Sequence, residues 1–237
     1  MSLGYRDRLS SGRRAMAHLI HIWHERNSWS HKVLPLLSEV LDIGRVHNSQ
    51  ISNLRNGKLS SPGPEVFLAL AQVNQILDQG VETIRDQLEI KHPELWKILQ
   101  ESAVPLKNDS GRPLSVGELF EIFSGTRPLP SSFDWYIEDE EASELSAVLS
   151  DHFCQNRPWR YCKFDIMKAY PVTKVSRRER FAEVIAGLKD YSAEELDGEL
   201  LDLYEASRKL SYFQKGGPNE FLLELRKKVI SKQSKVY

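Results

Sequence analysis

Along most of this chain, apolar residues recur at three- and four-residue spacing, the period that lines one face of a helix. Residues 14–27 place Ala15, Leu19, Ile22 and Trp23 on a single stripe. Residues 34–43 continue the pattern, and Pro35 fits there only inside the first turn. Residues 48–56 predict a short helix that stops at Gly57, a residue suited to a left-handed cap. Ser61-Pro-Gly-Pro64 then breaks the chain, and Pro64 is well placed to open a helix through Leu77. Residues 80–90 and 93–101 read as two more helices, separated at His92-Pro93.

Beyond these, Lys107-Asn-Asp-Ser-Gly-Arg-Pro113 is polar and turn-rich, which is the composition of a linker. Ser115, Ser176 and Ser192 are each followed three residues later by glutamate (Glu118, Glu179, Glu195) and then by apolar residues at helical spacing. That is the capping-box pattern: the serine accepts from a first-turn N–H while the glutamate reaches back to the serine's own N–H. Residues 138–155 read as a helix whose acidic first turn (Glu138, Asp139, Glu140, Glu141) suits the positive end of its dipole. Residues 219–231 predict an amphipathic last helix. Only residues 160–166 tempt a strand assignment, and no repeat of roughly 20 to 50 residues is visible. The predicted class is all-α, with a helical domain at residues 10–105, a linker carrying a short helix at 106–130, and a second helical domain at 131–237.

Composition narrows the functional classes. The chain is 41% hydrophobic and 27% charged, values of a globular protein and not of a disordered or fibrous one. It has no apolar run long enough to span a bilayer, and four arginines by Arg14 without an apolar block argue against a secretory signal. Two cysteines fit a reducing cytosol better than a disulfide scaffold, so a cytoplasmic home is expected. The net charge of −1 is unevenly spread. Residues 1–60 hold nine Lys/Arg against four Asp/Glu and five of the seven histidines, whereas residues 61–150 hold six against sixteen. A basic end followed by an acidic middle is the asymmetry expected when one end meets a polyanion.

The segment Asn48-Ser-Gln-Ile-Ser-Asn-Leu-Arg-Asn-Gly-Lys58 carries the functional signal. Ile51 and Leu54 form an inward pair, leaving Asn48, Ser49, Gln50, Ser52 and Asn53 as amides and hydroxyls that cannot all be buried. Asn or Gln can pair with adenine N6 and N7 in the major groove of DNA, and Asn48, Ser49 and Asn53 are the first candidates for base contacts, with Ser52 next. Arg45, Arg55 and Lys58 are placed to contact phosphates, and Arg13 and Arg14, at the start of the first helix, extend that footprint. The segment resembles the recognition helix of the phage-repressor-like helix-turn-helix family, whose pattern I-x-x-L-x-N/R-G-K precedes a proline-containing loop and another apolar helix. Here those are Ser60-Ser-Pro-Gly-Pro64 and residues 65–73. The resemblance covers roughly residues 12–78. It implies a repressor-like helical bundle, double-stranded DNA as partner, and a homodimer whose recognition helices meet half-sites ~34 Å apart. One departure is visible. Family members join their second and third helices by three or four residues, whereas Asp42-Ile-Gly-Arg-Val-His47 makes this connection longer unless the second helix runs on to Ile43.

Other clusters point less sharply. His18, His21 and His24 repeat every three residues, but His24 lies ~240° round from His18, so a three-ligand metal site is not expected. His152, Cys154 and Cys162 lack a fourth ligand at structural-zinc spacing, and the cysteines read as buried thiols. No phosphate loop or hydrolase motif appears, so neither a cofactor nor catalysis is expected. The rival enzyme would rest on Asp151, His152 and Cys154, and the rival scaffold on a helix-turn-helix that packs against protein. The aromatic stretches Phe133-Asp-Trp-Tyr136 and Pro158-Trp-Arg-Tyr161 could stack single-stranded bases, but core or dimer packing is the expectation. Lys174, Arg177, Arg178 and Arg180 gather at a helix start, where cations oppose the dipole. Glu138, Asp139, Glu140 and Glu141 are the expected counterweight, with a nucleic-acid phosphate as the alternative. The second domain is expected to supply dimerisation or bind a protein partner.

Overall fold

A computed structural model describes residues 4–59 and 61–233; Ser60, the first residue of the expected loop before Pro64, lies outside the described residues. Among the described residues there are twelve α-helices and two short 3-10 segments but no β-strand, so the protein is all-α. No helix among them is long and apolar enough to cross a membrane. The chain divides into two compact units, Met1–Asp134 and Trp135–Tyr237.

The first unit contains α1 (Tyr5–Asn27), α2 (Val33–Val40), α3 (Asn48–Arg55), α4 (Pro64–Gln79), α5 (Arg85–Leu88), α6 (Pro93–Glu101) and α7 (Val116–Ser124). Pro35 sits in the first turn of α2 and Pro64 opens α4, where a missing N–H costs nothing. Helix α1 begins nine residues earlier than the apolar stripe suggests, because Gly12 and Met16 extend its buried face toward α7. Arg13 and Arg14 consequently lie well inside α1 and not at its start. Residues 80–90 do not form one helix. They split into a 3-10 segment (Val81–Ile84) and the single turn of α5, with Ile84 and Leu88 buried and Ile90 exposed.

The expected linker at 106–130 is also corrected. Leu106 and Leu114 are buried, a bridge pairs Lys107 with Pro113, and α7 packs on both α1 and α4. Two buried asparagines fasten this stretch and the residues before it. Asn74 of α4 accepts from the Leu106 N–H at 2.7 Å and donates to the Leu106 carbonyl at 2.8 Å. Asn27 of α1 does the same for Val104, at 2.6 and 3.1 Å. Each amide replaces the backbone partner that buried, irregular chain would otherwise lack. The polar turn at 107–113 is therefore an excursion within the first unit.

In the second unit, a 3-10 turn (Asp139–Glu141) leads into α8 (Ala142–Cys154). Around α8 pack α9 (Trp159–Ala169), α10 (Val175–Ile185), α11 (Ala193–Lys209) and α12 (Pro218–Gln233). The tempting strand at 160–166 is helical, since Cys162, Ile166 and Ala169 bury one face at four- and three-residue spacing. Ser115 and Ser192 form capping boxes, with Ser192 donating its N–H to Glu195 at 2.8 Å. Ser176 does not, because α10 starts at Val175 with Lys174 as its cap.

Candidate nucleic-acid interface

Helix α3 is held by Ile51 and Leu54, both almost fully buried, and packs on α1 and α2. Its opposite face is open. Ser49 and Asn53 are exposed there with Ser52 half-buried beside them, and Asn48 is exposed at the edge of that face in the first turn. Two other polar residues serve the helix itself. The Gln50 side-chain oxygen accepts from the His47 N–H at 2.9 Å, capping the first turn, and Asn56 donates to the Ser52 carbonyl at 2.8 Å. The amide of Gln50 is thus partly engaged in local structure, which sets it apart from its neighbours.

Seven residues, 41–47, connect α2 to α3, so α2 does not run on to Ile43. It is nonetheless anchored. Val46 is buried, the Ile43 N–H donates to Ser38 at 3.1 Å, and Gly44 approaches α4 so closely that a Cβ would lie 3.3 Å from the Ala69 methyl. Gly44 also has φ +133°, a conformation L side chains rarely adopt. Arg45 projects from this connection and is exposed.

Arg55 has a different role from Arg45 and Lys58. Its Nη2 pairs with Glu25 of α1 at 2.8 Å, and its Nε donates to His21 Nδ1 at 3.0 Å. Its guanidinium is therefore already engaged in spanning α3 and α1, a role that Arg45 and Lys58 do not share. Sequence reasoning missed Glu25 and His21, although they stand four apart on one face of the first helix. Lys58 is exposed just beyond the left-handed Gly57, where an added Cβ would stand 3.8 Å from that of Ala17 on α1. Arg14 is exposed and Arg13 half-buried on the turn before Ala17.

Two of the three histidines of α1 have separate partners. His21 accepts from Arg55, whereas His24 donates from Nδ1 to the Ile20 carbonyl at 2.7 Å. Burial lowers the His24 pKa to about 4, so it is neutral.

In the second unit, Asp151, His152 and Cys154 diverge. Asp151 is exposed and pairs with Lys232. His152 accepts from Lys228 at Nδ1 (2.9 Å) and donates from Nε2 to Ser207 (2.8 Å). Burial, reinforced by Cys162 alongside, pushes the Cys154 thiol up to about 12, and its sulfur points at the Ile185 carbonyl. A thiol held protonated in this way is a poor nucleophile.

The three arginines of the α10 cluster find partners on α11 and on main-chain carbonyls, where residues 138–141 were expected. Arg177 pairs with Glu199 and Asp202, and Arg180 with Glu195. Arg178 donates to the carbonyls of Met167 and Val172. Glu141 is instead bound by Arg226 of α12.

These features define an all-α protein of two helical units, the first of which presents a short, amide-bearing helix to solvent. Residues 6–125 match the family described as Domain of unknown function (DUF8644), and residues 142–236 match Domain of unknown function (DUF8645). The first match spans half of the chain, and the protein belongs to the DUF8644 family. No curated protein and no solved structure matches it. The first match includes α7.

Proposed function

We propose that the protein is a sequence-specific, double-stranded DNA-binding transcriptional regulator that acts through α3, by binding and without catalysis. The observation that carries this reading is the exposure of Ser49 and Asn53 opposite the buried pair Ile51 and Leu54, with Asn48 exposed at the edge of the same face. Small amides and hydroxyls on a rigidly seated helix are suited to base edges in the major groove. Arg45, Lys58 and Arg14 then act as phosphate contacts that set register. A homodimer places two such helices on a two-fold symmetric site, and the second unit supplies pairing or binds a protein partner in the cytoplasm.

The test is selection from a pool of random duplex DNA followed by a salt titration. The expected result is an enriched two-fold symmetric site whose affinity falls steeply with salt. The paired change Asn48→Ala/Asn53→Ala should abolish the sequence preference while leaving weak, salt-sensitive binding. A second reading, a scaffold whose helix-turn-helix packs against protein, draws support from the seven-residue connection before α3. It predicts no enriched sequence and partner binding unchanged by that double substitution.

A further inference from the structure

Helix α9 buries Cys162, Ile166 and Ala169 and leaves two aromatic rings outside, Tyr161 at 66% and Phe164 at 79% exposure. Neither ring contributes to the core that fixes the helix. Arg160, Phe164 and Lys168 follow one another at four-residue steps, a line ~12 Å long on a helix rising 1.5 Å per residue. Lys163 and the one acid of α9, Asp165, flank Phe164 on its two sides, ~100° each way round the helix. Among the described residues, Arg160, Lys163 and Lys168 form no ion pair. The Arg160 guanidinium lies 4.7 Å from the centre of the Tyr161 ring, joining cation and aromatic plate into one surface.

Beside this line runs a groove of about 450 Å³, lined by Arg160, Lys163, Phe164, Met167, Lys168 and Arg178. Its Arg178 wall is fixed, because that guanidinium donates to the carbonyls of Met167 (2.7 Å), Val172 (2.7 Å) and Tyr170 (3.3 Å).

We propose that this face of α9 binds single-stranded nucleic acid, with Phe164 stacking on an unpaired base and Arg160, Lys163 and Lys168 on the backbone phosphates. Unpartnered cations call for a polyanion, and a protruding ring among them calls for a flat apolar face on that same polyanion. Single strands offer both, whereas a duplex hides its base faces. A lipid surface fits less well, since the continuous apolar stripe of α9 faces inward and only isolated rings face out. The surface lies in the second unit, away from α3 in sequence, and the inference does not rest on the regulator reading.

The experiment is fluorescence anisotropy of the full chain with labelled oligothymidylate, oligouridylate and a mixed-sequence duplex, each at two salt concentrations. The DNA and RNA arms show which sugar is accepted. Phe164→Ala should weaken single-strand binding roughly tenfold and leave duplex binding unchanged. Lys163→Glu/Lys168→Glu should weaken it further and flatten its salt dependence. Asn48→Ala/Asn53→Ala should leave single-strand binding intact. All these positions are exposed, and unchanged melting curves identify folded variants. The proposal is overturned if the unaltered chain binds neither oligonucleotide, or if both α9 variants bind as it does. It is equally overturned if Phe164→Ala instead dissolves a dimer in sedimentation velocity or abolishes binding to vesicles of anionic lipid.

Discussion

Gly12 in the middle of α1 lies backbone against backbone on Gly125, the residue that ends α7. A Cβ added at Gly12 would overlap the Gly125 nitrogen and the Phe123 carbonyl oxygen, and would stand 2.6 Å from the Ile122 carbonyl oxygen. The contact is reciprocal, since a Cβ at Gly125 would overlap the Arg8 carbonyl oxygen, and Gly125 also holds φ +72°. In an open helix, Gly→Ala would gain about 1 kcal/mol. Here backbone atoms on both sides must move apart, so Gly12→Ala is expected to destabilise the first unit by about 2 kcal/mol or more. Thermal melting measures this, and a variant as stable as the parent would mean that α1 and α7 are not in such close contact.

The buried cluster of the second unit sets up a different kind of expectation. Arg177 donates to Glu199 at 2.6 Å and to Asp202 at 2.8 Å, and the Tyr170 hydroxyl also donates to Glu199. Burial works against the Arg177 charge, but the Glu199 carboxylate more than offsets it, and the guanidinium stays ionised. Arg177→Met would leave two carboxylates facing each other out of water, a loss of about 3–5 kcal/mol. Hydrogen exchange across α10 and α11 should accelerate accordingly. Adding Glu199→Gln should restore part of the protection, because the cost lies in unpaired charge and not in lost volume.

These two clusters also show where sequence reasoning reaches and where it stops. The all-α class was readable because Leu19, Ile22, Ile51 and Leu54 follow a helical period, and the starts of α7 and α11 because Ser115 and Ser192 cap locally. The membership of α7 in the first unit was not, since the Gly12–Gly125 contact has no hydrophobic signature and joins residues far apart in the chain. Asn27 and Asn74 carry no sequence signal of their role, although both are buried and hold main-chain groups of distant residues. The cations of α10 announced a need for acids, but only the packing of α11 on α9 and α8 shows that Glu199 and Asp202 are those acids. At α3 the outward amides were legible from spacing alone. The engagement of Arg55 with Glu25 was not, because it depends on how α3 docks on α1.

Two groups in the second unit respond to pH in opposite directions. Burial lowers the His152 pKa from 6.5 to about 4, helped by Lys228, so below pH 6.5 the unfolded chain takes up a proton that the folded one refuses. That contribution to stability is lost as pH falls from about 6.5 toward 4. Burial raises the Asp197 pKa from 3.8 to about 7, opposed by a bond from the Ile137 N–H, so the folded chain keeps a proton that the unfolded one has released. Its contribution is present at low pH and lost as pH rises from about 4 through 7. The terms, on the order of 3 kcal/mol for His152 and 4 kcal/mol for Asp197, change with opposite slopes that nearly cancel between about pH 4 and 6.5. Asp197→Asn should remove one of them. The stability of the second unit in urea should then rise with pH over that range, and at about pH 8 the variant should exceed the parent. An unchanged profile would mean that Asp197 is ionised in the folded protein.

Arg55 and Glu25 allow a test of α3 in which electrostatics and positioning predict opposite signs. Their 2.8 Å pair is about a quarter to a third exposed, so breaking it should cost less than about 1 kcal/mol of stability. Glu25→Gln removes a negative charge close to the proposed DNA face and releases Arg55 from its carboxylate partner. If charge alone governed affinity, selected duplex DNA would bind this variant more tightly, with a steeper salt dependence. If the pair seats α3 at the angle its amide face requires, affinity should fall despite the favourable change in charge. Arg55→Ala should fall with it, and the two together should lose little more than either alone. Binding isotherms for the two single variants and the double variant decide the matter. A tighter complex for Glu25→Gln would return Arg55 to the phosphate-contacting group with Arg45 and Lys58.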